Sequence, residues 1–256
     1  MDQNLKISLI QTDLVWENPQ ANLQNFEEKI NNDTSNPDLI ILPEMFNSGF
    51  SMNFSETLPS KSLEWLSKVS SAKQTAIYGS LAIAENGKNY NRGCFVKPDG
   101  EHRFYDKKHL FKYGKEHKSY ASGSKILNIK HKNWTIRPLI CYDLRFPVWS
   151  RNVSPHYDLL IYVASWPAAR IDAWRTLLKA RAIENQCYVI GVNRIGRDGN
   201  NLSYNGQSLV IDYAGQILVD AEETEGLFSA ELSFENLTNF RTRFPFLSDA
   251  DVFELK

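Results

Sequence analysis

The chain has 256 residues, 42% of them hydrophobic, enough for a substantial buried core in one large domain or two small ones. Its 29 basic and 30 acidic residues leave a formal net charge of −1, which provides no electrostatic footprint for nucleic acid. Cys94, Cys141 and Cys187 do not read as a disulfide framework, and the 5 scattered histidines, with no Cys-x-x-Cys spacing, do not suggest zinc.

Taken in chain order, the N-terminal stretch lacks a basic start followed by a long apolar core, and no run reaches the roughly 18 apolar residues of a membrane span. The expectation is a cytoplasmic protein without cofactor or metal that acts on a small molecule, not on nucleic acid or membrane. Leu5 to Gln11 reads as a strand, Ala21 to Asn31 as an amphipathic helix, Asp38 to Pro43 as a strand and Ser62 to Lys73 as a helix. Thr75 to Ala84 and Gly93 to Lys97 follow as strands joined through an Asn86-Gly87 turn region. The second half repeats this order. Thr135 to Cys141 is a strand, Pro147 to Asn152 a short helix, Asp158 to Ala164 a strand and Asp172 to Gln186 a long helix. Tyr188 to Asn193 and Gln207 to Asp212 then form paired strands around Asp198-Gly199.

Residues repeat as well as elements. Leu9-Ile10-Gln11-Thr12-Asp13-Leu14 parallels Leu139-Ile140-Cys141-Tyr142-Asp143-Leu144, Asp38-Leu39-Ile40 parallels Asp158-Leu159-Leu160, and Tyr90-Asn91 parallels Tyr204-Asn205. Two β-α-β-α-β-β halves imply an α/β fold of two sheets packed face to face with helices outside, a four-layer αββα sandwich with an internal pseudo-two-fold repeat. Residues 1–256 then form one domain, because neither half can cover its own inner sheet face.

Three segments carry candidate chemistry, two of them at strand ends. Cys141 lies where an apolar strand runs into a polar turn, Glu44 closes Pro37-Asp-Leu-Ile-Ile-Leu-Pro-Glu44, and Lys107 stands among aromatic and aliphatic residues that can partly desolvate an ammonium. In open α/β sheets, ligands bind beyond the carboxyl ends of strands, where such residues converge. Each also has a plainer reading: a small buried cysteine, a capping or salt-bridged carboxylate, and a lysine in a solvated cluster with Lys112, Lys115 and Lys118. Arg181 and Glu184 read as a helix pair at i, i+3, and Asp198-Gly-Asn-Asn-Leu-Ser as a turn without the full calcium-loop pattern.

Taken together, Leu42-Pro-Glu44-Met-Phe, Tyr105-Asp-Lys107-Lys-His109-Leu-Phe111 and Ile140-Cys141-Tyr-Asp-Leu-Arg145-Phe-Pro147 resemble the nitrilase, or carbon-nitrogen hydrolase, superfamily. The likeness continues through Asn89-Tyr-Asn91, Ala164-Ser-Trp166-Pro167 and the run from Trp174 to Gln186. It implies the αββα sandwich and a Glu-Lys-Cys catalytic set on Glu44, Lys107 and Cys141. The family lysine precedes the His of its Lys-x-His-Leu element by two positions, which selects Lys107 over Lys108. A second family glutamate, set before a glycine, falls on Glu116 ahead of Gly123.

Ser165-Trp166-Pro167-Ala-Ala-Arg170, with Tyr204-Asn205, resembles bacterial members of the omega-amidase branch, which hydrolyses the terminal amide of 2-oxo acid monoamides. On that resemblance Glu44 shuttles the proton, Cys141 carries a thioester, Lys107 and the Tyr142 backbone N–H hold the oxyanion, and Glu116 supports Lys107. Arg170 is the first candidate for the substrate carboxylate, with Trp166 as an apolar wall; Arg145, beside Asp143, suits a structural ion pair. A nitrilase, an aliphatic amidase, an N-carbamoyl amino acid amidohydrolase or a non-catalytic protein on the same fold are the alternatives. The resemblance also implies a homodimer, and Phe240-Arg-Thr-Arg-Phe-Pro-Phe246 suits docking on a partner or on the chain itself.

Overall fold

The computed structural model describes residues 3–254. Its first half runs β1 (Leu5–Gln11), α1 (Pro19–Asn31), β2 (Leu39–Ile41), the short β3 (Glu56–Thr57), α2 (Lys61–Lys73), β4 (Ala76–Glu85), β5 (Lys88–Val96) and β6 (His102–Asp106). Asn18 and Ser60 start the two helices, their side chains accepting from Ala21 N at 3.2 Å and Leu63 N at 3.1 Å, and Pro19 occupies the first turn where it sacrifices no helical bond. Asn86 and Gly87, with φ of 51° and 74°, close the β4–β5 hairpin as two left-handed residues whose twist matches the strands.

The second half runs α3 (Glu116–Ser119), β7 (Ile129–His131), β8 (Trp134–Ile140), α4 (Pro147–Ser150), β9 (Leu159–Ala164), α5 (Ile171–Asn185), β10 (Tyr188–Asn193), β11 (Ile195–Arg197), β12 (Ser203–Asn205), β13 (Leu209–Ile211), β14 (Ile217–Asp220), β15 (Gly226–Leu232) and α6 (Phe234–Arg243). One sheet has the order β15-β1-β2-β4-β5-β6, with β3 beside β4, and the other β7-β8-β9-β10-β13-β14. The pairings match in sense: β1-β2-β4 and β8-β9-β10 are parallel, and the flanking strands antiparallel apart from the two-residue β3, which runs parallel to β4. This is the pseudo-two-fold repeat, now seen in topology.

Alternation explains how both faces are buried. Leu5, Ile7 and Leu9, Leu39 and Ile41, and Ala76 and Tyr78 enter a core shared with Ile136, Ile140 and Val163 of the other sheet. The intervening Ile10, Ile40 and Ile77 pack with Phe26, Ile30 and Leu66 of α1 and α2. Helix α5 covers the outer face of the second sheet through Trp174, Leu178 and Ala182. Four layers result: helices, sheet, sheet, helices.

Several expectations shift at their edges. The strand read from Gly93 begins at Lys88, the helix at Pro147 is a single turn ending at Ser150, and β13 covers only part of Gln207–Asp212. The β11–β12 hairpin is inserted around Asp198, whose Oδ1 accepts from Asn200 N and Leu202 N, so this segment is a turn. Helix α6 docks on its own chain: Arg241 donates to Gln186 O, Asp158 Oδ1 and Tyr157 O, and Phe240 lies 4.7 Å from Tyr213. Among the described residues, no helix is long and apolar enough to cross a membrane.

Candidate active site

The carboxyl ends of β2, β6 and β8 meet at one place. Glu44 follows β2, Lys107 follows β6, and Cys141 follows β8; Glu116 begins α3. Glu44, Lys107 and Glu116 are fully buried, so their charges must satisfy one another. Lys107 Nζ donates to Glu44 Oε1 at 2.8 Å and to both Glu116 oxygens at 3.0 Å. Asn91 Nδ2 donates to Glu44 Oε1 at 2.8 Å and Glu116 Oε1 at 3.1 Å, tying the two carboxylates together. Phe111 N donates to Glu116 Oε2, and Ser165 N donates to Glu44 Oε2 at 2.8 Å.

These contacts set the electrostatics. Burial alone disfavours the Lys107 ammonium, but Glu116 and then Glu44 outweigh it and hold its pKa above the usual lysine value. Burial pushes the Cys141 thiol well above its usual value; Glu44 adds to the push, and Lys107 opposes it. The sulfur is thus a neutral thiol at neutral pH and needs a base beside it to act as a nucleophile.

Local backbone geometry presents that sulfur. Cys141 has φ of 44° and starts a 3-10 turn, Cys141–Arg145, directly at the end of β8. A left-handed φ is unfavourable for a residue with a Cβ, so surrounding contacts must enforce it. Asp143 is the anchor. Fully buried, it accepts from Ile140 N at 3.1 Å, Tyr105 OH at 2.8 Å, His109 N at 3.0 Å and His109 Nδ1 at 2.8 Å. It therefore couples the segment carrying Lys107 to the turn carrying Cys141. Arg181, 3% exposed, adds to this by donating to Leu144 O at 2.7 Å besides pairing with Glu184 at 2.9 Å. It is more than a helix-surface pair.

A cavity of about 570 Å³ opens above the sulfur. Cys141, Tyr142, Ser165, Trp166, Arg145 and Arg170 line it, facing Phe50, Phe111 and Leu202. Cys141 is the member of the buried set that meets the cavity; Glu44, Lys107 and Glu116 stand behind it. Trp166 is fixed from both ends, its backbone N bonding Asn193 Oδ1 at 2.7 Å and its Nε1 bonding Arg170 O at 2.8 Å.

All seven residues singled out in the sequence therefore gather here. One reading of a competitor needs correcting: Arg145 does not serve Asp143, whose oxygens are occupied by Tyr105, His109 and Ile140. Its guanidinium lies 4.9 Å from the centre of the Trp166 ring, on the cavity wall. Arg170 lies 5.3 Å from the Phe111 ring centre, and among the described residues neither arginine has an anionic partner. Sequence reasoning assigned no role to Asn91, although the Tyr90-Asn91 repeat marked it, and none to the Asp143–His109 pair.

Residues 6–242 match the family described as carbon-nitrogen hydrolase. The chain is 46% identical to omega-amidase YafV of Yersinia enterocolitica over 98% of both chains. It is 32% identical to 2-oxoglutaramate amidase of Bacillus subtilis, covering 95% of this chain and 96% of that one. Among solved structures it resembles XC1258 from Xanthomonas campestris, a CN-hydrolase superfamily protein with an arsenic adduct in its active site. The TM-score is 0.97, with 41% identity over 99% of each chain.

Proposed function

The chain belongs to the carbon-nitrogen hydrolase family, and from that premise we propose that it is an omega-amidase. It would convert 2-oxo acid monoamides such as 2-oxoglutaramate and 2-oxosuccinamate to the 2-oxo dicarboxylate and ammonia. The observation that carries the reading is the fully buried Glu44–Lys107–Glu116 cluster set directly behind a cysteine that meets a cavity bearing two arginines with no anionic partner among the described residues. Likeness to omega-amidase YafV over nearly the whole chain supports the substrate class.

An amide resists hydrolysis because its nitrogen must be protonated as it leaves, and the neutral thiol of Cys141 must lose a proton as it attacks. Glu44 serves both needs. It accepts the thiol proton while sulfur bonds to the carbonyl carbon, then delivers that proton to nitrogen, and ammonia departs to leave a thioester. Glu44 next takes a proton from water as the water attacks the thioester, and returns it to the sulfur when the acid product is expelled. The Lys107 ammonium and the Tyr142 N–H stabilise the oxyanion of each tetrahedral intermediate; that N–H opens the 3-10 turn, where amides have no acceptor within the helix. Glu116 keeps Lys107 charged and in place. Ammonia release measured with 2-oxoglutaramate, 2-oxosuccinamate, a carbamoyl amino acid and a simple nitrile tests the assignment, and preference for either of the last two would overturn it.

The substrate carboxylate pairs with Arg170, which is half-buried and therefore better desolvated than the exposed Arg145. Arg170→Ala should raise KM for 2-oxo acid amides by about 10- to 150-fold, the worth of one charge-assisted bond, with little change for an uncharged amide. A selective loss in Arg145→Ala instead would move the role to that residue. The enzyme works as a cytoplasmic homodimer built as one domain: a free catalytic thiol suits a reducing compartment, and light scattering at twice the monomer mass is the expected result in solution.

A further inference from the structure

Glu44 presents its two oxygens to different partners. Oε1 receives both the Lys107 ammonium and the Asn91 amide, whereas Oε2 receives a single neutral donor, Ser165 N, at 2.8 Å. A carboxylate oxygen has two lone pairs, so Oε2 keeps one free and is the oxygen fitted to carry the travelling proton.

The residue holding Oε2 has a second feature. Ser165 lines the cavity with Cys141, is 7% exposed, and its Oγ is buried without a hydrogen-bond partner among the described groups. Nearby hydroxyls are engaged: Ser80 Oγ accepts from Met45 N and Ser208 Oγ from Asn193 N, each at 2.9 Å. An unpaired buried hydroxyl is unfavourable, and one beside a nucleophile is explained when a reactant supplies its partner.

We infer that the Ser165 hydroxyl is a further catalytic residue, accepting a hydrogen bond first from the departing nitrogen and then from the attacking water. The inference rests on the cysteine-amidase chemistry above. Once the Cys141 sulfur has bonded to the carbonyl carbon and its proton resides on Glu44 Oε2, the nitrogen of the adduct bears two N–H bonds. One donates to Ser165 Oγ, which turns the nitrogen lone pair toward the proton on Oε2. That proton transfers, the C–N bond breaks and ammonia leaves. Water then occupies the same place, donating one O–H to Oε2, which takes that proton, and the other to Ser165 Oγ. Its oxygen bonds to the thioester carbon, the C–S bond breaks, and the thiolate recovers its proton from Glu44.

An ester separates this role from a structural one, because its leaving oxygen carries no hydrogen to donate to Ser165. The measurement is kcat/KM, which reports acylation, for Ser165→Ala and wild type on the amide and the methyl ester of one acyl group. That acyl group is whichever the wild-type enzyme hydrolyses best, so an error in the 2-oxo acid assignment leaves the test intact. The expected result is a loss of about 10-fold on the amide against no more than about 2-fold on the ester, with an unchanged melting temperature. Equal losses on both substrates would make Ser165 a structural support for Glu44, and an unaffected amide rate would remove the hydroxyl from the reaction; either outcome overturns the inference.

Discussion

Cys141→Ala is expected to lower amide turnover by about 10⁴-fold or more while the protein stays folded, because removal of a covalent nucleophile leaves only binding and oxyanion stabilisation. Cys141 is 8% exposed and lines the cavity, so loss of its sulfur opens space next to an existing void and not inside the packed sheets. Cys94 and Cys187 provide the comparison. Both are fully buried in packed regions, and burial pushes the Cys187 thiol up to about 12. Conservative replacement of either should leave most activity. Ammonia release at a near-normal rate from Cys141→Ala would exclude the thioester route.

Lys107→Ala should nearly eliminate activity and also weaken the fold, whereas Lys108→Ala should alter both modestly. Removing the ammonium leaves Glu44 and Glu116 facing each other across Asn91 with no solvent to screen them. Breaking a buried ionic cluster by deleting one member costs about 3–5 kcal/mol, and losing an oxyanion donor costs on the order of 10²- to 10³-fold in kcat. Lys108, next in sequence, lies 5.3 Å from the Trp149 ring centre and is only partly covered. Denaturant titration and kcat for the two variants check this pair. Equal effects would mean that the adjacent lysines share the role, which the burial of only one of them contradicts.

The site was more legible than the frame around it. Glu44 and Cys141 stand at strand ends that the apolar runs Leu39–Ile41 and Trp134–Ile140 announce, and the residue repeat indicates that those runs come from related halves; Lys107 was marked instead by its motif and its aromatic and aliphatic neighbours. Missed elements lack such local signals. The strand Gly226–Leu232 pairs with Leu5–Gln11 across almost the full length of the chain, and His102–Asp106 is a charged edge strand. Helix α6 did carry a start signal in Ser233, whose side chain accepts from Asn236 N at 3.2 Å.

Partner choice was the least readable level. Arg145 stands two residues from Asp143, so sequence suggests an ion pair. The 3-10 turn instead sends Arg145 to the Trp166 ring and leaves Asp143 to Tyr105 and His109, which arrive from a distant segment. Asn91 was hidden for a similar reason. An amide bridging two carboxylates is recognisable only when the carboxylates are known to lie 25 and 47 residues away along the chain yet within hydrogen-bond reach.

The central claim is a covalent acyl-enzyme on Cys141, and mass spectrometry of a rapidly acid-quenched reaction with 2-oxoglutaramate tests it most directly. The expected result is wild-type protein heavier by the substrate's acyl group, the added mass mapping to the peptide that contains Cys141 and absent from Cys141→Ala. Turnover with the adduct on another residue, or an adduct of equal yield in Cys141→Ala, would contradict the account.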